Sequence, residues 1–464
     1  MSNGQQQATL LVPLSSVDQA GVENTGSIYA YVVSGPFDAD ALRTAALRAA
    51  DKWRLLAGKV EWDAGRWTYA IRVPLGAIEP DVRFTRDTSQ REKPLGVEVS
   101  QSGDNEARIL RRPGLACFRH GGTQGSLAMH AKTSQPILSI HVCEFADATC
   151  IGVTLPHGVF DGTGAGMVIK ALDAELNGRT WTPPPFGTEN IMEDALRDIS
   201  SYPSHDSDDS AELPQLAHFK REFNPVGVSS LASLVYGVGY EYLWHRAEDR
   251  ALFLGRDVVE RIVSRTQEGI RPLPPTENVT TGDILLMWFI QAAYGGDEDD
   301  DEHTISIASA VSLRTTLTKM NQDFATYPHN ASIPTVLPLL TTTQLKRSSI
   351  GELALAHRAA INALRTLPYV QAWSQYIAEI GRPVVPARRR TSDAWLFSNQ
   401  VLGAPTDISF GPRVDLRAFY FLLAPFLPDH SVVINKINGG YVMQGYVRRA
   451  RWNAIERVLQ ELTR

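Results

Sequence analysis

A histidine followed four residues later by an aspartate can support acid–base chemistry, and this chain offers that spacing three times: His157/Asp161, His205/Asp209 and His245/Asp249. Spacing alone selects none of them; context does. His205 and Asp209 lie in Ser-His-Asp-Ser-Asp-Asp-Ser, a polar run with the composition of solvated loop. His245 and Asp249 lie in Trp-His-Arg-Ala-Glu-Asp-Arg, which is charged and has no apolar strand before it. His157 alone follows a β-branched run, Ile151 to Leu155, ended by Pro156, and glycines (Gly158 and Gly162) stand on both sides of Asp161. A strand that stops at a glycine-rich turn and passes into a helix can hold an imidazole rigidly beside a cavity. An imidazole titrates in the range a general base needs. Asp161 has two readings. It either orients His157 as a triad carboxylate would, or turns inward and braces the loop by pairing with an arginine. No G-x-S-x-G elbow is present, and none of Cys117, Cys143 and Cys150 sits in a comparable strand–turn–helix context, so a covalent nucleophile is not expected.

The elements that must position His157 follow from periodicity. Met167, Ile169, Leu172 and Leu176 mark a helix after the turn, with Gly178 as its stop. Pro136 to Phe145 alternates as a strand and, through a turn at 146–148, pairs with 149–155. Upstream, Leu10–Leu14 and Ile28–Val33 read as strands, Asp38 stands at an N-cap position, and a helix over 39–53 follows. Residues 60–62 and 67–73 read as a hairpin. Downstream, Thr280-Thr-Gly-Asp283 resembles a capping box opening a buried helix, Ile284–Tyr294. A strand is expected over 303–313 and a helix over 349–367, stopped by Pro368. Closing strands are expected at 408–410, 419–423, 431–435 and 440–447, and a terminal helix at 452–462. Residues 85–125 carry little pattern. The stretch from Thr180 to about Leu216 is rich in Pro, Ser and Asp and reads as a linker. The chain is therefore expected to be α/β, with two similar-sized domains and mixed sheets. The expected boundaries are an N-terminal domain over 1–200, a crossover linker over 201–225 and a C-terminal domain over 226–464.

Composition narrows the partners. With 45 Lys and Arg against 51 Asp and Glu, the net charge of −6 over 464 residues gives no reason to expect nucleic acid or an anionic membrane. No apolar run reaches membrane-spanning length and the first residues lack a secretory pattern, so the expected setting is the cytoplasm. Three cysteines without metal-ligand spacing argue for a reducing compartment and against zinc or a disulfide framework. The acidic run 297–302 lacks the alternating oxygen ligands of a calcium loop. No metal is expected.

Several segments, in order, resemble the BAHD acyltransferases, and most of all their fungal branch around the trichothecene 3-O-acetyltransferases. Pro13-Leu-Ser-Ser-Val-Asp18 is similar to that family's opening Pro-Leu-Ser-x-x-Asp, and Leu155-Pro-His-Gly-Val-Phe-Asp-Gly162 to its H-x-x-x-D-G signature. Leu42 to Gly58 looks like its first helix and the turn after it, and Val279 to Trp288 looks like the helix opening its second domain. Val311-Ser-Leu-Arg314 and Pro328-His-Asn330 fall where the family has its arginine and its Gly-Asn pair. Asp407-Ile-Ser-Phe-Gly411 stands in place of Asp-Phe-Gly-Trp-Gly; only Asp407 and Gly411 match, so a change in packing is expected there.

The resemblance implies a chloramphenicol-acetyltransferase-like fold with an active-site tunnel between two domains. It implies acyl transfer from an acyl-coenzyme A co-substrate to a hydroxyl or amine of a small natural product, with no tightly bound cofactor, in a monomer. His157 is then the general base, Asp161 pairs with Arg314, and Asp407 and Gly411 support the fold. Coenzyme A phosphates would suit the compact basic run Arg388, Arg389 and Arg390. Separately from the resemblance, Ser398 or Asn399 and nearby backbone amides are candidate donors to the oxyanion, and Ser398 is also a candidate coenzyme contact. Two other readings keep the architecture. In one the donor is carrier-bound, as in condensation domains, although Pro156 replaces the first histidine of their His-His-x-x-x-Asp-Gly. In the other His157 assists a cyclisation or isomerisation without transfer, or merely binds a metabolite.

Overall fold

The computed structural model describes residues 8–19, 22–76, 79–97, 106–201, 214–225, 243–270, 278–296, 303–381, 384–386, 392–424 and 431–463. Two mixed sheets carry it. The first has five strands in the order Asp415–Ala424, Gly26–Ser34, Thr149–Pro156, Ser139–Glu144 and Arg83–Asp87, antiparallel except for the last pair. The second has eight strands. Its main path runs Ser332–Val336, Thr304–Ser312, Ser392–Asn399, Ser431–Ile437, Gly440–Arg448, Ala247–Leu254 and Ala107–Arg111, and Leu340–Thr341 pairs off this path with Thr304–Ser312. Its centre is parallel: Thr304–Ser312, Ser392–Asn399 and Ser431–Ile437 run the same way.

Each sheet thus borrows a strand from the other half of the chain. Ala107–Arg111 pairs with Ala247–Leu254 in the second sheet, while Asp415–Ala424 forms an edge of the first beside Gly26–Ser34. The apolar alternation of the second sheet explains how the halves join. Leu252 and Leu254 face a core with the helices Arg256–Ile270, Thr281–Ala293 and Arg449–Thr463, whereas Ala251 and Phe253 point the other way, into the core of the first sheet. One continuous core therefore spans both halves.

Most expected elements around the histidine are present. Thr149–Pro156 is a central strand, and Gly162–Leu176 is the helix after it. Asp38 caps Ala39–Lys52 through two backbone N–H groups, and Thr280 with Asp283 forms a full capping box. Other expectations fail. Pro368 does not end the downstream helix; Ile350–Leu364 stops earlier, and Pro368 sits in the first turn of a further helix, Leu367–Ile380, where its missing N–H costs nothing. Residues 408–410 are not a strand: Ser409 bonds outward to the Asp173 and Asn177 side chains instead of to a neighbouring strand. The stretch read as linker contains the helices Ile191–Ser201 and Pro214–Glu222, which bury Met192, Ile199, Leu216 and Phe219 against Leu367–Ile380. Residues 202–213 lie outside the described part.

Candidate active site

The turn holding His157 is fixed from both halves of the chain. The His157 N–H donates to the Thr25 carbonyl at 3.0 Å. The His157 carbonyl accepts from Nδ2 of Asn330 at 2.9 Å. Asn330 is itself held by Asp18, whose Oδ1 accepts both its backbone N–H, at 2.9 Å, and its Nδ2, at 2.8 Å. The other Asp18 oxygen accepts the Ser15 N–H and hydroxyl, each at 2.7 Å. Asp18 is wholly buried; burial pushes its pKa up, and these donors together with nearby His329 work against that rise.

Asp161 does not hydrogen-bond to His157. Its Oδ1 caps the following helix, accepting from the N–H groups of Thr163 (3.1 Å) and Gly164 (3.0 Å). Both oxygens receive the Arg314 guanidinium in a two-pronged pair, at 2.8 and 2.9 Å. Ala331 N–H and the Ser332 hydroxyl complete the shell of Oδ2 at 3.1 and 3.0 Å. Arg314 is equally occupied, donating onward to the carbonyls of Tyr327 and His329 at 3.0 and 2.6 Å. Burial alone would raise the Asp161 pKa, but the Arg314 charge and the surrounding donors outweigh it and hold the carboxyl below its ordinary value. Gly164 allows this close seam: a β-carbon there would lie 1.8 Å from the Pro328 carbonyl oxygen.

These contacts leave the imidazole free of a carboxylate partner. Its Nδ1 is buried and makes no hydrogen bond of good geometry among the described residues, while the residue as a whole keeps partial exposure. Burial lowers the ring's pKa, opposed by its own carbonyl and by the more distant Asp161 charge. A largely neutral imidazole, held rigidly by its backbone on a partly exposed residue, is suited to receive a proton.

No protein-family model matches the chain. Among curated proteins, it is 25% identical over 93% of its length, and 92% of theirs, to acetyltransferase adrJ of Penicillium roqueforti. It is 27% identical over 74% of its length, and 73% of theirs, to O-acyltransferase pboC of Aspergillus ustus. Among solved structures, F. sporotrichioides TRI101 complexed with coenzyme A and T-2 superposes with a TM-score of 0.66 at 14% identity, covering 98% of both chains. Vinorine synthase superposes with a TM-score of 0.58 at 11% identity, covering 100% of this chain and 95% of that one.

The chain is a BAHD-fold relative of fungal acyltransferases. That kinship makes it an enzyme of the acyltransferase class, and the two-sheet architecture is the BAHD one. Within it, the remaining candidate residues fall in different places. Arg388, Arg389 and Arg390 lie outside the described residues, as do His205 and Asp209. Asp249 of the third histidine–aspartate pair is tied to Arg112 at 2.5 Å. Ser398 is half-buried on the strand Ser392–Asn399, opposite Val433, and Asn399 is exposed, its Oδ1 accepting the Val401 N–H at 3.1 Å. Neither makes a hydrogen bond to His157. Asp407 is exposed, and the segment it opens is held instead by Phe410, buried edge-on against Tyr31 and Phe37, and by the Ser409–Asp173 bond. Gly411 has φ of +134°, a conformation suited to glycine.

Two features of this BAHD-fold chain escape sequence reading. Asp18, part of the recognised opening motif, reaches His157 only through Asn330, across 312 positions of chain. Elsewhere, Ser309, His357 and Asp283 form a hydrogen-bonded series, with Ser309 Oγ 2.7 Å from His357 Nε2 and His357 Nδ1 2.8 Å from Asp283 Oδ1. The order is that of a hydrolytic triad. All three are buried, however, with His357 at 2% exposure, and Asp283 also serves the Thr280 capping box and the Arg358 ion pair. A substrate has no route to Ser309, so the series is a lock between helices and a strand.

Proposed function

We propose that the chain transfers an acetyl group from acetyl-coenzyme A to a hydroxyl of a small natural product, with His157 as the general base. The observation that carries this reading is the His157 turn, gripped by Asn330 and, through the Asp161–Arg314 pair, by the second half of the chain, yet with no carboxylate on the imidazole. The acetyl group and the hydroxyl acceptor are supported by the names of the fungal relatives, and coenzyme A by its presence in the TRI101 crystals. The ring nitrogen other than the buried Nδ1, that is Nε2, takes the proton as the acceptor oxygen attacks the thioester carbonyl. The tetrahedral intermediate collapses, the carbon–sulfur bond breaks, and the imidazolium returns the proton to the departing thiolate. No acyl-enzyme forms. Asp161 and Arg314 keep the turn rigid and join the halves of the chain around the reacting groups.

The test is thiol release from acetyl-coenzyme A, with a panel of hydroxylated acceptors that includes deoxynivalenol, for the parent protein and His157→Ala. Expected is acceptor-dependent release that falls by about 10²- to 10⁴-fold in the variant. Because the base must be unprotonated and its pKa lies below the ordinary 6.5, kcat/KM should stay level through pH 7 and fall only below that value. Undiminished release from His157→Ala, or activity confined to carrier-bound donors, would refute the assignment.

A further inference from the structure

Three cysteines scattered through the sequence meet at one place on the first sheet. Cys143 and Cys150 are directly opposite each other on the antiparallel strands Ser139–Glu144 and Thr149–Pro156, and the next pair on the same face is His141 with Gly152. The absent side chain at Gly152 leaves a gap, and the turn Leu115–Cys117 fills it: a β-carbon at Gly152 would lie 1.7 Å from the Phe118 carbonyl oxygen. That close approach seats Cys117 over the cross-strand pair. Cys143 and Cys150 are buried at 3% and 0% exposure, whereas Cys117 is half-buried and reachable from solvent. The closeness of both buried thiols favours the Cys117 thiolate and lowers its pKa, and nearby His141 adds to the effect. The ring of His141 is engaged with the Thr85 hydroxyl at 2.8 Å, and no group among the described residues is arranged to hold a metal. A solvent-reachable thiol above two buried ones is the layout of an attacking and a resolving cysteine.

We propose that Cys117 is an oxidation site, resolved as a disulfide to Cys143 or Cys150. The oxidant is a hydroperoxide. The Cys117 thiolate attacks the peroxide oxygen, and with hydrogen peroxide it becomes a sulfenic acid with release of one water. The neighbouring thiol then attacks the sulfenic sulfur, a sulfur–sulfur bond forms, and a second water leaves. Two thiols are oxidised and one peroxide is reduced to two waters, so atoms and electrons balance. The bridge would pin the Leu115–Cys117 turn to the strand pair that carries His157.

The experiment treats the full chain with stoichiometric hydrogen peroxide, unfolds it in an alkylating denaturant and counts free thiols by intact mass. Peptide mapping then identifies the bridge. The expected result is a fall from three alkylated thiols to one, with Cys117 in the bridge, and reversal by dithiothreitol. In Cys117→Ser, a half-buried and near-isosteric change, both remaining thiols should stay alkylatable. Three alkylated thiols in the treated parent would overturn the proposal. So would an irreversibly oxidised Cys117 with no bridge, or a Cys143–Cys150 bridge forming equally well in Cys117→Ser.

Discussion

Arg314 illustrates how a charge inside a protein derives its worth from its partners. Its guanidinium and the Asp161 carboxylate are both buried, and every polar edge of the pair is met by a backbone or hydroxyl group. Removing one member leaves the other desolvated and unpaired, so Arg314→Ala should cost about 3–5 kcal/mol in urea unfolding at pH 7. The pH dependence has a definite sign. Asp161 has its folded pKa below the unfolded value of 3.8, so it contributes stability above that value and loses it as pH falls through the lower one. In Arg314→Ala that depression is lost, and acid unfolding should begin at higher pH. A variant that unfolds like the parent in both urea and acid would show that the pair does not brace the turn.

At the scale of elements, the buried Ser309–His357–Asp283 series ties the strand Thr304–Ser312 to the helices Ile350–Leu364 and Thr281–Ala293. His357→Ala should therefore lower stability by about 2–4 kcal/mol, from a cavity and two stranded polar groups, in thermal or urea unfolding. A serine-reactive fluorophosphonate should leave Ser309 unlabelled in the folded protein; labelling by mass spectrometry would show that the series is accessible. The helix Thr281–Ala293 itself was legible in the sequence because a capping box and an apolar run are local signals, as were the apolar strand and glycines around His157. The His357 contact was not, because its partners lie 48 and 74 positions away. The same limit hid the three-thiol cluster, because Cys117 lies outside the hairpin whose register sets Cys143 opposite Cys150. Pro368 misled for another reason: a proline that stops one helix is equally at home starting the next. The Asp161–Arg314 pairing came from family resemblance alone, since nothing within either segment names the other.

For the whole molecule, the exchange of strands means that neither half is complete by itself. Asp415–Ala424 pairs along nearly the full length of Gly26–Ser34, whose residues are almost all buried. A chain ending before residue 415 would present that apolar strand as an open edge. Such a truncation should be recovered in aggregates, while co-expression with a fragment covering 392–464 should restore soluble protein; a soluble monomeric truncation would contradict this. The same feature bears on how the protein is made. A ribosome delivers Gly26–Ser34 long before Asp415–Ala424, and at about 5–20 residues per second the gap is some tens of seconds. Throughout that interval the nascent first sheet has a vacant seat beside its second strand, so a chaperone that shields exposed strand edges would matter most during synthesis and little once Asp415–Ala424 has emerged and paired.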